Sequence, residues 1–447
     1  ILNLPGLGMQ AAVIQSEAEA SRDRLNLAWT FDRFLINIPG SLLIYFLAPQ
    51  IAAFFDQPAA IPSLRIIALI PIAQLIENTA MMVVTRDLDY DKRAALEISN
   101  GLTVALAVIP LAWFWRDPMA VAVAYLAGRS MRAAVSYIVY PHPPWICFDR
   151  ETFTELFIFG RWLMAQNLAD RFRSRADELL IGATVGTTAL GIFQLANRFS
   201  SQVVSDFYAT AGKVLFPIYA KVQNDKARLA RMYRTVLQLI LFVVTPICLG
   251  IAVIPESIVA TIFGEKWMPA AGAMVFLALA GWIKVVVGST HPLFRGEGHA
   301  NFEFFLKIAE FIAVAAFVVP LAYFHSYMGA AVGTLAAQAV LILPVFWMLV
   351  QVIEIDVRAY FKAILPPVVL SLTMAIGVLL VRDFVWIAQP GFGSLVVLVT
   401  TGIVVYGLAF SVGYLVFEWS SVGLLKRQLK KYLSSKPFFS KFLSSES

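Results

Sequence analysis

The stretch MYRTVLQLILFVVTPICLGIAVI, residues 232–254, decides the fold class of this chain. Its one charged residue, Arg234, stands near its edge, and the run exceeds the roughly 20 apolar residues that cross a bilayer as a helix. Similar runs recur along the chain, bounded by charges or by Pro and Gly clusters. Twelve predicted spans lie at 27–49, 64–84, 94–114, 119–140, 155–182, 188–218, 232–254, 271–293, 302–321, 329–351, 362–381 and 395–417. We therefore predict an all-α, polytopic transmembrane helical bundle.

The composition excludes a soluble protein and argues against an enzyme. Of the 447 residues, 59% are hydrophobic and 14% are charged, and the mean hydropathy is +0.75. Cys147 and Cys248 stand far apart and without metal spacing, which excludes a disulfide framework and a thiolate metal site. The four histidines show no paired spacing, which argues against a metalloenzyme. The sequence holds no nucleophile, nucleotide-binding or metalloprotease motif. We predict no catalytic residue, no cofactor, no metal and no nucleic-acid partner.

The distribution of Lys and Arg predicts the orientation in the membrane. Twenty of them lie before the first span, in every second connection and in the C-terminal tail, whereas the opposite connections hold Arg116, Lys266 and Arg382. Because positive residues are enriched on the cytoplasmic side, both ends of the chain are predicted to face the cytoplasm.

Charged residues inside the spans predict a cationic cavity. In RWLMAQNLADRFRSRADELL (161–180), a helical stripe carries amide, carboxylate and guanidinium groups at mid-span, where a charge costs about 2.5–3.5 kcal/mol. Arg171 and Arg175 lie four residues apart and repel each other unless an anion lies between them, and phosphate suits their planar donors. The polar and ion-pair candidates of the cavity are Asn167, Asp170, Arg173, Asp177, Glu178, Gln202 and Asp206. Mutual neutralisation as a packing device is the alternative for Asp170, Arg173 and Asp177.

Further intramembrane charges extend this prediction. Arg198 and Gln202 share a helical face of the next span, and Lys284 stands alone in GWIKVVVGS. We predict that Arg171, Arg175, Arg198 and Lys284 bind a phosphate-bearing substrate. For Lys284, a carboxylate such as Glu303 or Glu310 is the alternative partner. Glu77 and Asp32 are candidates for ion coupling, with placement at the membrane interface the alternative for Asp32.

The chain is predicted to divide into five parts. These are an N-lobe at 1–140, a linker at 141–154, a six-helix C-lobe at 155–351, two further helices at 352–418 and a basic amphipathic tail at 419–447. The tail is expected to lie on the anionic inner leaflet, with a regulatory partner as the alternative.

Several motifs resemble the polysaccharide (O-antigen-type) flippases of the multidrug/oligosaccharidyl-lipid/polysaccharide exporter superfamily. The most specific segment is 159–271, which holds FGRWLMAQNLADRFRSRADELLIG and TPICLGIAVIPESIVATIFGEKW; LPGLGMQAAVIQ (4–15), TRDLDY (85–90) and LFRGEGHANF (293–302) match as well. The resemblance implies fourteen helices, with six in each of two lobes and two at the C-terminus, around a central cationic cavity. On that pattern, residues 4–15 look like the end of the second helix, and the chain is expected to be truncated at its N-terminus.

The resemblance also implies a function and partners. It indicates a bacterial inner-membrane flippase for polyprenyl-pyrophosphate-linked oligosaccharide, working by alternating access among membrane lipids and alongside polysaccharide polymerase or assembly proteins. The alternatives are an ion-coupled small-molecule antiporter of the same superfamily, a membrane-embedded glycan polymerase, ligase or glycosyltransferase, and a non-transporting scaffold. An antiporter would favour acidic cavity charge, and a polymerase or transferase would need a large external loop or a nucleotide-sugar motif.

Overall fold

The structure is a computed structural model that divides into two compact units, Ile1–Ala176 and Asp177–Ser447. Among the residues that it describes, the regular structure is helical and no strand occurs, which confirms the predicted all-α class. The described residues are 22–78, 89–141, 145–147, 149–150, 153–154, 181–205, 208, 212, 215, 219, 222, 225–297, 300–384 and 391–417.

Unit 1 contains six described α-helices. They are α1 (Arg22–Phe31), α2 (Ile38–Phe54), α3 (Ile61–Ala68), α4 (Ile70–Ala73), α5 (Tyr90–Trp115) and α6 (Met119–Val139), with a π-helical turn at Asp32–Asn37. Helix α6 packs along α5 and also contacts α3 and α4. Gly128 permits this approach to α5, because a Cβ atom there would lie 2.5 Å from the Val104 side chain.

Unit 2 contains nine described α-helices. They are α7 (181–197), α8 (Lys226–Val253), α9 (Pro255–Ile262), α10 (Pro269–Gly288), α11 (His291–Gly296), α12 (Ala300–Ala313), α13 (Val319–Ile353), α14 (Val357–Phe384) and α15 (Phe392–Phe417). A π-helical turn, Arg198–Gln202, continues α7, and another, Val314–Val318, joins α12 to α13. The core forms where α8, α10 and α13 meet, around side chains such as Tyr233, Leu237 and Leu341.

Membrane-spanning length and composition recur in the described helices. Six are long and apolar enough to cross a bilayer, namely Asp91–Trp115, Lys226–Val253, Pro269–Phe294, Phe305–Ile353, Val357–Asp383 and Phe392–Leu415. Two shorter apolar helical stretches, Ile38–Phe54 and Pro58–Ala73, coincide with parts of the first two predicted spans. The protein is therefore a multi-pass membrane protein.

A sharp kink within α13 separates two spans that the sequence predicts as distinct. His325 and Ser326 leave helical geometry, and Ser326 has a φ of 54°. After this turn, the chain folds back so closely that a Cβ atom on Gly333 would lie 2.7 Å from the Phe317 carbonyl oxygen. Gly329, four residues earlier, approaches the backbone of Leu321. The glycines let the two arms pack backbone to backbone, as small residues four apart do in membranes.

Candidate functional site

The polar side chains at the end of α7 line one side of that helix. Arg198 and Gln202, four residues apart, are exposed, and Ser205 is half-buried three residues later. The π-helical turn begins at Arg198, and such turns are frequent at functional sites. The other side of this segment, with Ser201 and Val204, is buried. The spacing predicted from the sequence for Arg198 and Gln202 therefore corresponds to one accessible face.

Helix α10 packs against the buried side of this segment. A Cβ atom on Gly281 would lie 2.7 Å from Ser201 Cα, and one on Gly288 would lie 3.1 Å from the Tyr208 ring. From the first contact to the second, the residue number rises by seven on both segments, from 281 to 288 and from 201 to 208. The two helices therefore run parallel. Only a residue without a side chain allows such an approach at Gly281.

This packing brings Lys284 to the same side as Arg198 and Gln202. Lys284 follows Gly281 by three residues, which places it about one turn further along α10, level with Ser205. In two parallel right-handed helices in contact at Ser201 and Gly281, Lys284 and Gln202 project to the same side of the pair. Lys284 is exposed although 61% of the apolar window of its span is buried. We call Arg198, Gln202, Ser205 and Lys284 the polar strip.

Much of the predicted cavity lies outside the described residues. This holds for both arginines of the fifth predicted span and for its polar neighbours: Asn167, Asp170, Arg171, Arg173, Arg175, Asp177, Glu178 and, on the next span, Asp206. Of the predicted phosphate ligands, the structure therefore describes Arg198 and Lys284. Among the described residues, neither has an ion-pair or hydrogen-bond partner.

In unit 1, Glu77 lies in a buried ion pair. Arg132 Nε on α6 is 3.1 Å from Glu77 Oε1, and the two side chains are 10% and 8% exposed. Arg132 also reaches the more exposed Glu97 on α5, at 3.5 Å. The sequence identifies Glu77 as an ion-coupling candidate but not its partner, which lies 55 residues away. Its role in coupling stays a prediction.

The backbone at Glu77 explains how a carboxylate enters this apolar region. Within the predicted span at 64–84, α4 ends at Ala73 and tighter turns follow to residue 77, while residues 79–84 lie outside the described residues. The Trp29 indole and the Arg33 guanidinium donate to the freed Glu77 carbonyl, at 2.8 Å and 3.3 Å. Asp32, the other candidate for ion coupling, lies in the π-helical turn beside Arg33. Its side chain is not among the parts that the structure describes.

Comparison with known families decides the assignment. Residues 3–272, more than half of the chain, match the model of a family described as polysaccharide biosynthesis protein. The chain belongs to that family. The chain is also similar to the teichuronic acid biosynthesis protein TuaB of Bacillus subtilis, with 23% identity over 374 residues, covering 83% of this chain and 77% of TuaB.

Solved structures with the same fold are transporters. A lipid II flippase, MurJ, in an inward closed conformation has a TM-score of 0.74 at 14% identity, with 92% of this chain and 88% of that chain covered. An inward-facing multidrug resistance MATE transporter of the MOP superfamily has a TM-score of 0.63 at 13% identity, with 80% and 86% covered. The chain is therefore a membrane protein of the polysaccharide biosynthesis family with the fold of these two transporters, in agreement with the predicted fold and family.

Proposed function

We propose that this member of the polysaccharide biosynthesis family is a flippase for polyprenyl-pyrophosphate-linked oligosaccharide. It works by alternating access in the bacterial inner membrane, with both termini in the cytoplasm. The polar strip binds the pyrophosphate within a cationic cavity while the polyprenyl chain remains in lipid. The lipid-linked substrate of MurJ and the polysaccharide pathway of TuaB support this substrate class.

The observation that carries the proposal is the exposure of Lys284 within an apolar span and of Arg198 on the helical segment packed against it. Lys284 lies in the span Pro269–Phe294, whose mean hydropathy is 2.1, and Arg198 lies on the neighbouring parallel helix. A cation at this depth costs roughly 2.5–3.5 kcal/mol unless it meets a partner or water. Since no described residue pairs with either cation, an anionic ligand is the partner that we infer.

The chemistry of the strip suits a pyrophosphate linked to a sugar. Arg198 can donate two parallel hydrogen bonds to one phosphate, and Lys284 supplies a compact charge to the other. Gln202 and Ser205 can form neutral hydrogen bonds with phosphate or sugar oxygens. Arg171 and Arg175 complete the cationic set in this proposal. Glu77 and Asp32 remain the proposed groups for ion coupling.

Removing the strip's cations in proteoliposomes tests this function. We expect Arg198→Ala and Lys284→Ala each to weaken binding of a sugar-free polyprenyl pyrophosphate about 10- to 100-fold, the range for a charge-assisted hydrogen bond. Flipping of a fluorescent polyprenyl-pyrophosphate disaccharide should fall in parallel. Arg358→Ala is the matched control, because it removes an exposed cation of the same unit at the start of α14.

Two outcomes contradict the proposal. If both variants bind and flip substrate as the wild type does, the polar strip is not part of the substrate site. A wild-type protein that fails to flip the disaccharide lipid but exchanges a small solute for H⁺ or Na⁺ would establish the antiporter alternative.

A further inference from the structure

The boundary between α10 and α11 is an interruption held by side-chain hydroxyl groups. Pro292 has no amide hydrogen, so in a continuous helix the carbonyl of Gly288, four residues earlier, would lose its partner. The Tyr208 hydroxyl donates to this carbonyl. Tyr208 follows Arg198, Gln202 and Ser205 in the same segment, so a side chain of that segment replaces the missing backbone donor.

Tyr208 fits this position closely. A Cβ atom on Gly288 would lie 3.1 Å from the Tyr208 ring, and one on Gly212 would lie 3.5 Å from Pro292 Cγ and 3.7 Å from the Tyr208 hydroxyl. Together with Gly281 against Ser201, these contacts form a continuous seam of small residues between the two parallel helices. The seam holds α10 against the strip-bearing segment on both sides of Lys284.

Other hydroxyl groups form hydrogen bonds at the boundary between α10 and α11. Tyr233, fully buried on α8, lies 2.9 Å from Ser289 Oγ. Ser289 and Thr290 turn their hydroxyls onto the carbonyls of Val286 and Val287, each at 2.7 Å. Hydroxyl groups rotate and exchange partners without a break in a backbone hydrogen-bond ladder. This is the construction expected of a point at which a helix bends.

We propose that the Gly288–Pro292 interruption is the bend point of this span during transport and that Tyr208 is a positioning residue that latches it. The latch keeps Lys284, one turn before Gly288, beside Arg198 and Gln202 while substrate is bound. Release of the Tyr208 hydroxyl opens the seam at Gly288, so that α10 bends and Lys284 shifts relative to Arg198 and Gln202. This inference rests on the proposed function for its transport consequence, but the latch itself is a property of the protein without substrate.

The structure supplies a matched control in the same unit. Pro246 lies inside α8 and has no amide hydrogen for the carbonyl of Phe242, four residues before it. The Tyr406 hydroxyl on α15 donates to this Phe242 carbonyl at 2.7 Å. The chemistry is the same as at Tyr208, but α8 carries no residue of the polar strip. Tyr406→Phe therefore removes an equivalent hydrogen bond without displacing a proposed ligand.

Amide hydrogen exchange and flipping, measured on the full chain in proteoliposomes, test the latch. Tyr208→Phe should make the amides of residues 288–296 exchange about fivefold faster, the size expected for one lost hydrogen bond, and lower flipping of the disaccharide lipid about tenfold. Tyr406→Phe should speed exchange around residues 242–250 and leave flipping within about twofold of wild type.

A second variant distinguishes two roles of Tyr208: positioning Lys284, and supplying a hydrogen-bond donor to the Gly288 carbonyl. Pro292→Ala in the Tyr208→Phe protein restores a backbone donor for Gly288, so exchange should return to the wild-type rate while flipping stays low. Recovery of both properties, or equal loss of flipping in Tyr208→Phe and Tyr406→Phe, would overturn the positioning role. Unchanged exchange in Tyr208→Phe would overturn the latch. A wild-type protein that flips no lipid refutes the proposed function, and the exchange measurements still decide the latch.

Discussion

The two units differ in the surroundings of the charged side chains in their apolar segments. In unit 1, the Glu77 carboxylate is buried against Arg132, and its backbone carbonyl accepts from Trp29 and Arg33. In unit 2, Arg198 and Lys284 are exposed and have no ion-pair partner among the described residues. Charges with similar sequence signals therefore lie in different surroundings in the two units. The buried pair holds two segments of unit 1 together, whereas the exposed cations of unit 2 are the ones that we propose for ligand binding.

Breaking the buried pair should give the largest effect on stability. We expect Glu77→Ala to lower the free energy of unfolding by about 3–5 kcal/mol, because it leaves the Arg132 guanidinium buried without its main partner. Thermal unfolding of the purified protein in detergent measures this loss. Glu97→Ala is the control, since Glu97 reaches the same guanidinium but its side chain is 51% exposed. Equal losses in the two variants would contradict the structural role of the pair.

Separating the helices that form the polar strip should have an intermediate effect. We expect Gly281→Ala to cost about 1–3 kcal/mol, because the added methyl group would lie 2.7 Å from Ser201 Cα and overpack the seam. Gly191→Ala on α7 is the matched control, since a Cβ atom there has no neighbour within 4 Å. If the variants unfold at the same temperature, the helices do not approach as closely as described.

Removing an open cation should have the smallest effect on stability. Because water can hydrate these exposed side chains when no ligand is bound, we expect Arg198→Ala and Lys284→Ala to change the free energy of unfolding by less than about 0.5 kcal/mol. The same unfolding measurement provides the value, alongside the binding assay. A loss as large as that of Glu77→Ala would show that the strip, like the pair in unit 1, is a structural element.

Hydropathy was sufficient to predict the class of fold but not every helix boundary. Long apolar runs correctly predict the spans of α8, α10 and α14, because a bilayer rewards continuous apolar length. The region after Ala73 is also apolar, yet its helix ends there, and Trp29 and Arg33 from another segment donate hydrogen bonds to the Glu77 carbonyl. A sequence window cannot contain partners that lie more than 40 residues away.

For the candidate site, too, the sequence predicts some features and not others. Helical spacing alone places Arg198 and Gln202 on one face. The location of Lys284 beside them depends on the contact between Gly281 and Ser201, and the partner of Glu77 depends on how α6 packs. These are tertiary contacts, which local periodicity does not encode. The charges were therefore found from the sequence, whereas their division into paired and open groups required the structure.

The kink at His325–Ser326 has a mechanical consequence. With a two-residue connection and glycines seated on the opposing backbone, neither arm of the hairpin can slide or rotate without carrying the other. We therefore expect the two arms of the hairpin to move together as one rigid body.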